Sequence, residues 1–157
     1  MAATTITRFA LVGALALGAA GTTGCESGGS SSLFNMGTDM ASQLMGDWNL
    51  SQFQGVDVAS LMPEGMSIPS LNIGEGGDVS GSTGLNRFTS GLDFGEIAKG
   101  NFDLGNIATT KMGGSSEAMG FERAFLQQLE QVTGFNVGDD TLSLLEQGKE
   151  VLSFVRG

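Results

Sequence analysis

The clearest periodic signal along the chain lies between Ser115 and Val132, where Ala118, Phe121, Phe125, Leu129 and Val132 recur three or four residues apart. At about 100° per residue these side chains fall within an arc of roughly 80°, the apolar stripe of a helix laid against a core. Leu126 widens the stripe, and Arg123, Gln127, Glu130 and Gln131 take the opposite side. Ser115 or Ser116 can cap the start, Glu117 suits the first turn, and Gly134 stands just past the end. Glu122 falls inside the apolar arc. It reads either as an edge residue with its carboxylate in water, the ordinary arrangement, or as an inward-pointing functional acid.

Elsewhere the period is two. Leu44 to Gln54, which carries the single Trp, Trp48, reads as a strand closed by Gly55. Ala59 to Met62, followed by Pro63 and Gly65, permits only a brief helical turn. Ile68 to Ile73 leads into Gly74-Glu75-Gly76-Gly77, a cluster able to reverse the chain. Between Gly74 and Lys111 the two-residue spacing of Leu92/Phe94 and Phe102/Leu104 predicts three or four short antiparallel strands. After the helix come Phe135 to Val137, a turn at Gly138-Asp139-Asp140, Leu142/Leu144, a turn near Gln147-Gly148, and Leu152/Phe154. That alternation predicts a closing hairpin.

The first two dozen residues follow neither pattern. Phe9 to Ala20 is a run of twelve apolar or glycine residues behind Arg8. A membrane-spanning helix needs about 20 residues, so the run fits the hydrophobic region of an export signal. Small residues and the lone cysteine, Cys25, come next. Gly24-Cys25 resembles the lipobox of bacterial lipoproteins, although Thr22 stands where a Leu is usual. Acylation of Cys25 is the favoured reading; the alternative is ordinary cleavage after Ala20, with Gly18 and Ala20 as the small residues, leaving a free thiol. Residues 1–24 are therefore read as a signal peptide, 25–43 as the lipidated Cys with a Gly/Ser tether, and 44–157 as one domain. Leu33, Phe34, Met36 and Met40 interrupt the tether, either to dock on the domain or as stray apolar residues. The expected location is the cell envelope, periplasm-facing, with membrane contact through acylated Cys25. Glu26, in place of the Asp that retains some lipoproteins in the inner membrane, points to the outer membrane.

Composition removes several chemistries. With no His, the 157-residue chain has no imidazole base, no Ser-His-Asp or Cys-His nucleophile and no His-ligated metal. One Cys makes no internal disulfide. After removal of the signal, 6 bases face 17 acids, a net of −11, which disfavours nucleic acid. The glycine-rich Gly74 to Gly84 lacks the Gly-Lys-Ser/Thr ending of a phosphate loop and carries Glu75 and Asp78, so no nucleotide is expected. Asp93, Glu96, Asp103, Asp139 and Asp140 form no D-x-D-x-D-G loop, and neither metal nor cofactor is expected.

Five short segments carry a family likeness: Leu44-Met45-Gly46-Asp47-Trp48, Gly81-Ser82-Thr83-Gly84-Leu85-Asn86-Arg87-Phe88, Ala108-Thr109-Thr110-Lys111-Met112, Phe125-Leu126 in the helix, and Leu142-Ser143-Leu144 before Gly148-Lys149. In this order they resemble the META/HslJ family over about residues 44–156. The resemblance implies an α+β, mainly β fold: a curved, antiparallel, barrel-like sheet with one packed helix. It implies an envelope or secreted protein associated with stress tolerance or motility, and no catalytic residue. Trp48, Gly81, Gly84, Asn86, Arg87, Phe88, Thr109 and Thr110 are its motif positions, read as structural. For Arg87 the structural reading has its guanidinium satisfying carbonyls or an acid near a glycine-rich bend; the alternative is a ligand-facing cation. Two cysteines usual in the family are replaced, by Leu85 and by Gly114 or Gly113. Their joint loss predicts that these positions face each other. The expected function is non-enzymatic, a protein-interaction module in envelope maintenance. The alternative is a carrier holding a small apolar ligand or acyl chain within the curved sheet, for which the eight Met and ten Phe are available.

Overall fold

The computed structural model describes residues 39–157. The export segment, Cys25, Leu33, Phe34 and Met36 lie outside the described residues. Nine strands form one sheet with every pairing antiparallel: β1 (Gly46–Phe53), β2 (Val56–Asp57), β3 (Ser70–Ile73), β4 (Asp78–Ser82), β5 (Arg87–Gly91), β6 (Ala108–Thr109), β7 (Gly134–Val137), β8 (Thr141–Glu146) and β9 (Lys149–Arg156). Their order is β6-β5-β4-β3-β1-β9-β8-β7, with β2 folded back on β1. The first long strand thus lies beside the last, and a meander extends on each side. The ladder is not closed. Isolated bridges, Leu92 to Leu104 and Asn101 to Gly134, carry the segment after β5 across toward β7.

Turn chemistry sets the hairpins. Gln54-Gly55 and Gln147-Gly148 both take positive φ at the two central positions, the condition for a type I′ turn that matches strand twist. Register shifts between Leu50 and Gln52, and between Leu144 and Leu145, bend the central strands. Ser51, the extra residue of the first, donates its hydroxyl to Ser153 O at 3.0 Å.

One face of the sheet carries the core. Trp48, Leu50, Leu71, Ile73, Val79, Phe88, Leu142, Leu144, Leu152 and Phe154 alternate along the strands and are buried. The long helix, α4 (Ser116–Gln131), covers them. Ser115 is its N-cap, its hydroxyl accepting from Ala118 N at 3.2 Å. Phe125 meets Phe88 edge-on at 6.3 Å, and Phe121 meets Phe53 at 5.8 Å.

Two shorter helices are α2 (Val58–Leu61), where the brief turn was expected, and α3 (Phe94–Ile97). The latter corrects the alternation read into Leu92/Phe94. Asp93 caps a helical turn by accepting from Gly95 N at 2.7 Å, and that turn buries Ile97 where a strand would have exposed it. Phe102 is fully buried, and Leu104 joins the sheet through one bridge only. The segment from Gly74 to Lys111 therefore holds three strands.

At the start of the domain, helix α1 (residues 39–44) occupies the last described residues of the stretch read as tether. Ala41 and Leu44 are buried, and Met40 packs against the core. The helix end is held twice. The Trp48 indole N–H donates to Leu44 O at 2.8 Å, and the Arg156 guanidinium, 4.3 Å above the Trp48 ring, donates to Gln43 O and Met45 O.

Candidate functional site

The β4–β5 connection, Thr83 to Asn86, is built by its own side chains. Thr83 N–H donates to Asn86 O at 2.8 Å, and the Thr83 hydroxyl accepts from Asn86 N at 2.9 Å and Leu85 N at 3.3 Å. Gly84 has φ +91°, and a Cβ there would overlap the Ser67 carbonyl oxygen. Gly81 is required for a different reason. It pairs with Phe88 across the hairpin, and a Cβ would lie 2.6 Å from Phe88 Cζ and overlap the Ser70 carbonyl oxygen. The motif glycines thus leave room for the Phe88 ring against Gly81 and keep the loop close to Ser67.

Asn86 joins three segments. Its Oδ1 accepts from Met112 N at 2.7 Å and from the Thr110 hydroxyl at 3.0 Å; its Nδ2 donates to Met112 O at 3.2 Å and to Glu122 Oε2 at 3.1 Å. All four bonding positions of the amide are used. Toward Met112 the side chain acts as a strand neighbour would, pairing with both backbone groups of one residue. The Thr110 hydroxyl also accepts from Arg87 N at 3.1 Å, which continues the β5–β6 pairing past Thr109, the partner of Phe88.

Glu122 closes the knot from α4. Its other oxygen accepts from the Thr83 hydroxyl at 2.8 Å. The side chain is half-buried, so the edge position with its head in water is not the one adopted. The carboxylate points inward, and what it touches is the hairpin turn, a positioning contact between helix and sheet. Thr83, fully buried, was absent from the expected site. The Thr-Gly turn before Asn86 is the signal that could have singled it out.

Above this floor lies an open groove of about 570 Å³ between α4 and residues 109–113. Met112, 66% exposed, and Met119, 41% exposed, line it with Leu126. Lys111 and Arg123 line it as well, together with Glu122 and Glu130, and neither basic side chain makes a hydrogen bond or ion pair among the described residues. The motif residues Asn86, Thr109 and Thr110 are also part of its wall.

The other expected residues separate by role. Trp48 and Phe88 are core. Arg87 is exposed, and its guanidinium makes no hydrogen bond or ion pair among the described residues. The carbonyl-satisfying arginine is instead Arg156, which also donates from Nε to Asp139 O at 3.1 Å. Leu85 and Gly114 do face each other: Leu85 Cδ1 and Cγ lie 2.8 and 3.5 Å from where a Cβ on Gly114 would be. The leucine therefore fills the space that the glycine leaves. Gly113 has nothing within 4 Å of its Cβ position, which identifies Gly114 as the facing residue.

Of the acids, Asp93 caps α3, and Glu96 is held below the usual carboxylate range by the Lys99 ammonium first and the Asn101 amide second. No group of three or more potential metal ligands occurs among the described residues. No helix among them is long and apolar enough to cross a membrane.

A model of the META domain family matches residues 42–157. Two solved NMR structures share the fold. One is 19% identical with a TM-score of 0.56, covering 74% of this chain and 93% of its own. The other, from Burkholderia xenovorans, is 20% identical with a TM-score of 0.53, covering 76% of this chain and 87% of its own. No curated protein matches the chain.

Proposed function

The chain belongs to the META domain family, and from that premise we propose that it is a lipid-anchored docking module of the cell envelope, without catalytic activity. Cys25 carries the acyl anchor, and the groove between α4 and residues 109–113 receives a partner segment that presents an apolar side chain beside a carboxylate. The observation that carries this reading is the meeting of uncommitted cations and exposed methionines in one groove. Residues 39–157 hold 6 bases against 16 acids, a net of −10. Lys99 is paired with Glu96, Arg156 is spent on carbonyls and Trp48, and Lys149 lies in a groove with Glu146 and Glu150. Two of the remaining three cations, Lys111 and Arg123, line the groove beside Glu130 and beside Glu122, whose carboxylate is already bonded to Thr83 and Asn86, and their free side chains are the groups an acidic partner would pair with there. Met112 and Met119 supply adaptable apolar contact beside them. The filled core supports the surface groove over a carrier chamber, since Trp48, Phe88, Phe102, Phe125 and Phe154 are each at most 1% exposed.

The test of docking uses fluorescent hexapeptides pairing Leu or Phe with Asp or Glu, against the same peptides carrying Lys. Selective binding of the acidic set, weakened at least about tenfold by combined Lys111→Glu and Arg123→Glu, supports the reading. Equal binding of both sets, or no effect of the charge reversal, overturns it. The anchor is tested separately by intact mass with and without globomycin; absence of a diacylglyceryl increment on Cys25 removes it.

A further inference from the structure

We propose that Met112 and Met119 form a reversible oxidation site that converts the groove lining from apolar to polar. Among the described residues these are the two exposed methionines, at 66% and 41%, while Met40 and Met62 pack against the core and Met45 and Met66 are half-buried. The other described residues offer an oxidant little else: they hold no His, no Tyr and no Cys, and the single Trp, Trp48, is fully buried. Oxidation susceptibility of a thioether follows its access to solvent, so the groove concentrates the reactive sulfurs of the domain.

The reaction balances without help from the protein. A sulfur lone pair attacks one oxygen of hydrogen peroxide, the O–O bond breaks, and the thioether gains one oxygen as the peroxide is reduced to water. A dithiol reductase reverses it: the sulfoxide oxygen leaves as water while two thiols become a disulfide. The fold tolerates the change. Met112 is held through its backbone by Asn86, and its side chain contributes nothing to the core. Met119 sits in the first turns of α4, with its backbone N–H bonded to Ser115 O. A sulfoxide at either position therefore alters the groove and leaves the packing intact. The effect on docking rests on the proposed function; the oxidation site itself does not.

The full chain is treated with dilute hydrogen peroxide and followed by peptide mapping and thermal melting. Sulfoxide is expected at Met112 and Met119 at least about fivefold faster than at Met40, Met45, Met62 or Met66. The melting midpoint is expected to stay unchanged, with both oxygens removed by methionine sulfoxide reductase and a thiol donor. Rates within twofold across all six, or a melting loss that tracks the first oxygen, overturn the site; sulfoxides that resist the reductase overturn its reversibility. Met112→Leu/Met119→Leu keeps the groove apolar and is expected to abolish the fast phase in the peptides from residues 39–157. Binding of the acidic hexapeptides should fall on oxidation of the wild type and hold in the double variant. If the peptides never bind, the docking reading fails while the oxidation map stands.

Discussion

Two polar knots tie α4 to the sheet, and they differ in what else they hold. Near the middle of the helix Glu122 accepts from Thr83 and Asn86. Two turns on, buried Gln128 donates to Glu146 Oε2 at 2.8 Å and accepts from Gln54 Nε2 at 2.8 Å. Each joins the helix to hairpin residues through a single carboxylate, with one carboxamide and a hydroxyl in the first knot and two carboxamides in the second. The second consists of side chains alone, and Gln54 and Glu146 both reach solvent. The first reaches backbone: Thr83 shapes its own turn, and Asn86 grips both polar groups of Met112. The second knot therefore fastens only the helix, whereas the first also fixes the rim of the groove.

The largest break in that comparison is expected from Asn86→Asp. The substitution deletes the donor to Met112 O and sets a second carboxylate against Glu122, for a loss of about 3 kcal/mol at neutral pH in denaturant unfolding. Two acids at hydrogen-bond distance retain a proton in the folded variant that the unfolded chain has released. Its stability should therefore fall as pH rises through the carboxylate range and recover partly on acidification. The aspartate still accepts from Met112 N, so the rim is read in Asn86→Ala, where amide exchange at Met112 should accelerate because its acceptor is gone. Retained protection there would mean that Asn86 does not hold the rim.

Next in size is a gain. Cysteines at both Leu85 and Gly114 occupy facing positions, and a bridge across their intervening loop is expected to add about 3 kcal/mol in the chain-entropy picture. Thiol titration and reduction-sensitive melting read the result; two free thiols after mild oxidation would count against the facing geometry. Thr83→Val should cost about 2 kcal/mol, because it strips the acceptor from Leu85 N and Asn86 N inside a fully buried site. The smallest effect belongs to the other knot. Gln128→Leu should cost about 1 kcal/mol or less, since water can serve Gln54 and Glu146, and Met112 exchange should not change. Equal losses from Thr83→Val and Gln128→Leu would erase the distinction between the knots.

What could be read from the sequence was what depends on near neighbours along the chain. The helix from Ser115 was legible because its cap and its 3.6-residue stripe agree, and the closing hairpin because Leu142/Leu144 and Leu152/Phe154 alternate around Gln147-Gly148. Phe94 was misread because a two-residue spacing is also met where an Asp cap starts a helical turn. For Arg87, standing next to a motif said nothing about its partners; Arg156 lay 69 positions away in sequence and took the carbonyls near Trp48.

Periodicity and turn residues thus determined that this chain makes a mainly β domain with one long helix, and the ordered motifs determined its family. Only the tertiary structure decided which motif residues meet. A helical wheel places Glu122 at an angle, but its environment is set by the turn 36 to 39 residues earlier that packs against it. The groove is decided the same way. Its walls come from the β4–β5 turn, residues 109–113 and α4, and no local property of any one of them specifies the distance to the others. That distance is set by the sheet register and by the Phe88–Phe125 contact beneath them, interactions that exist only once the chain has closed on its core.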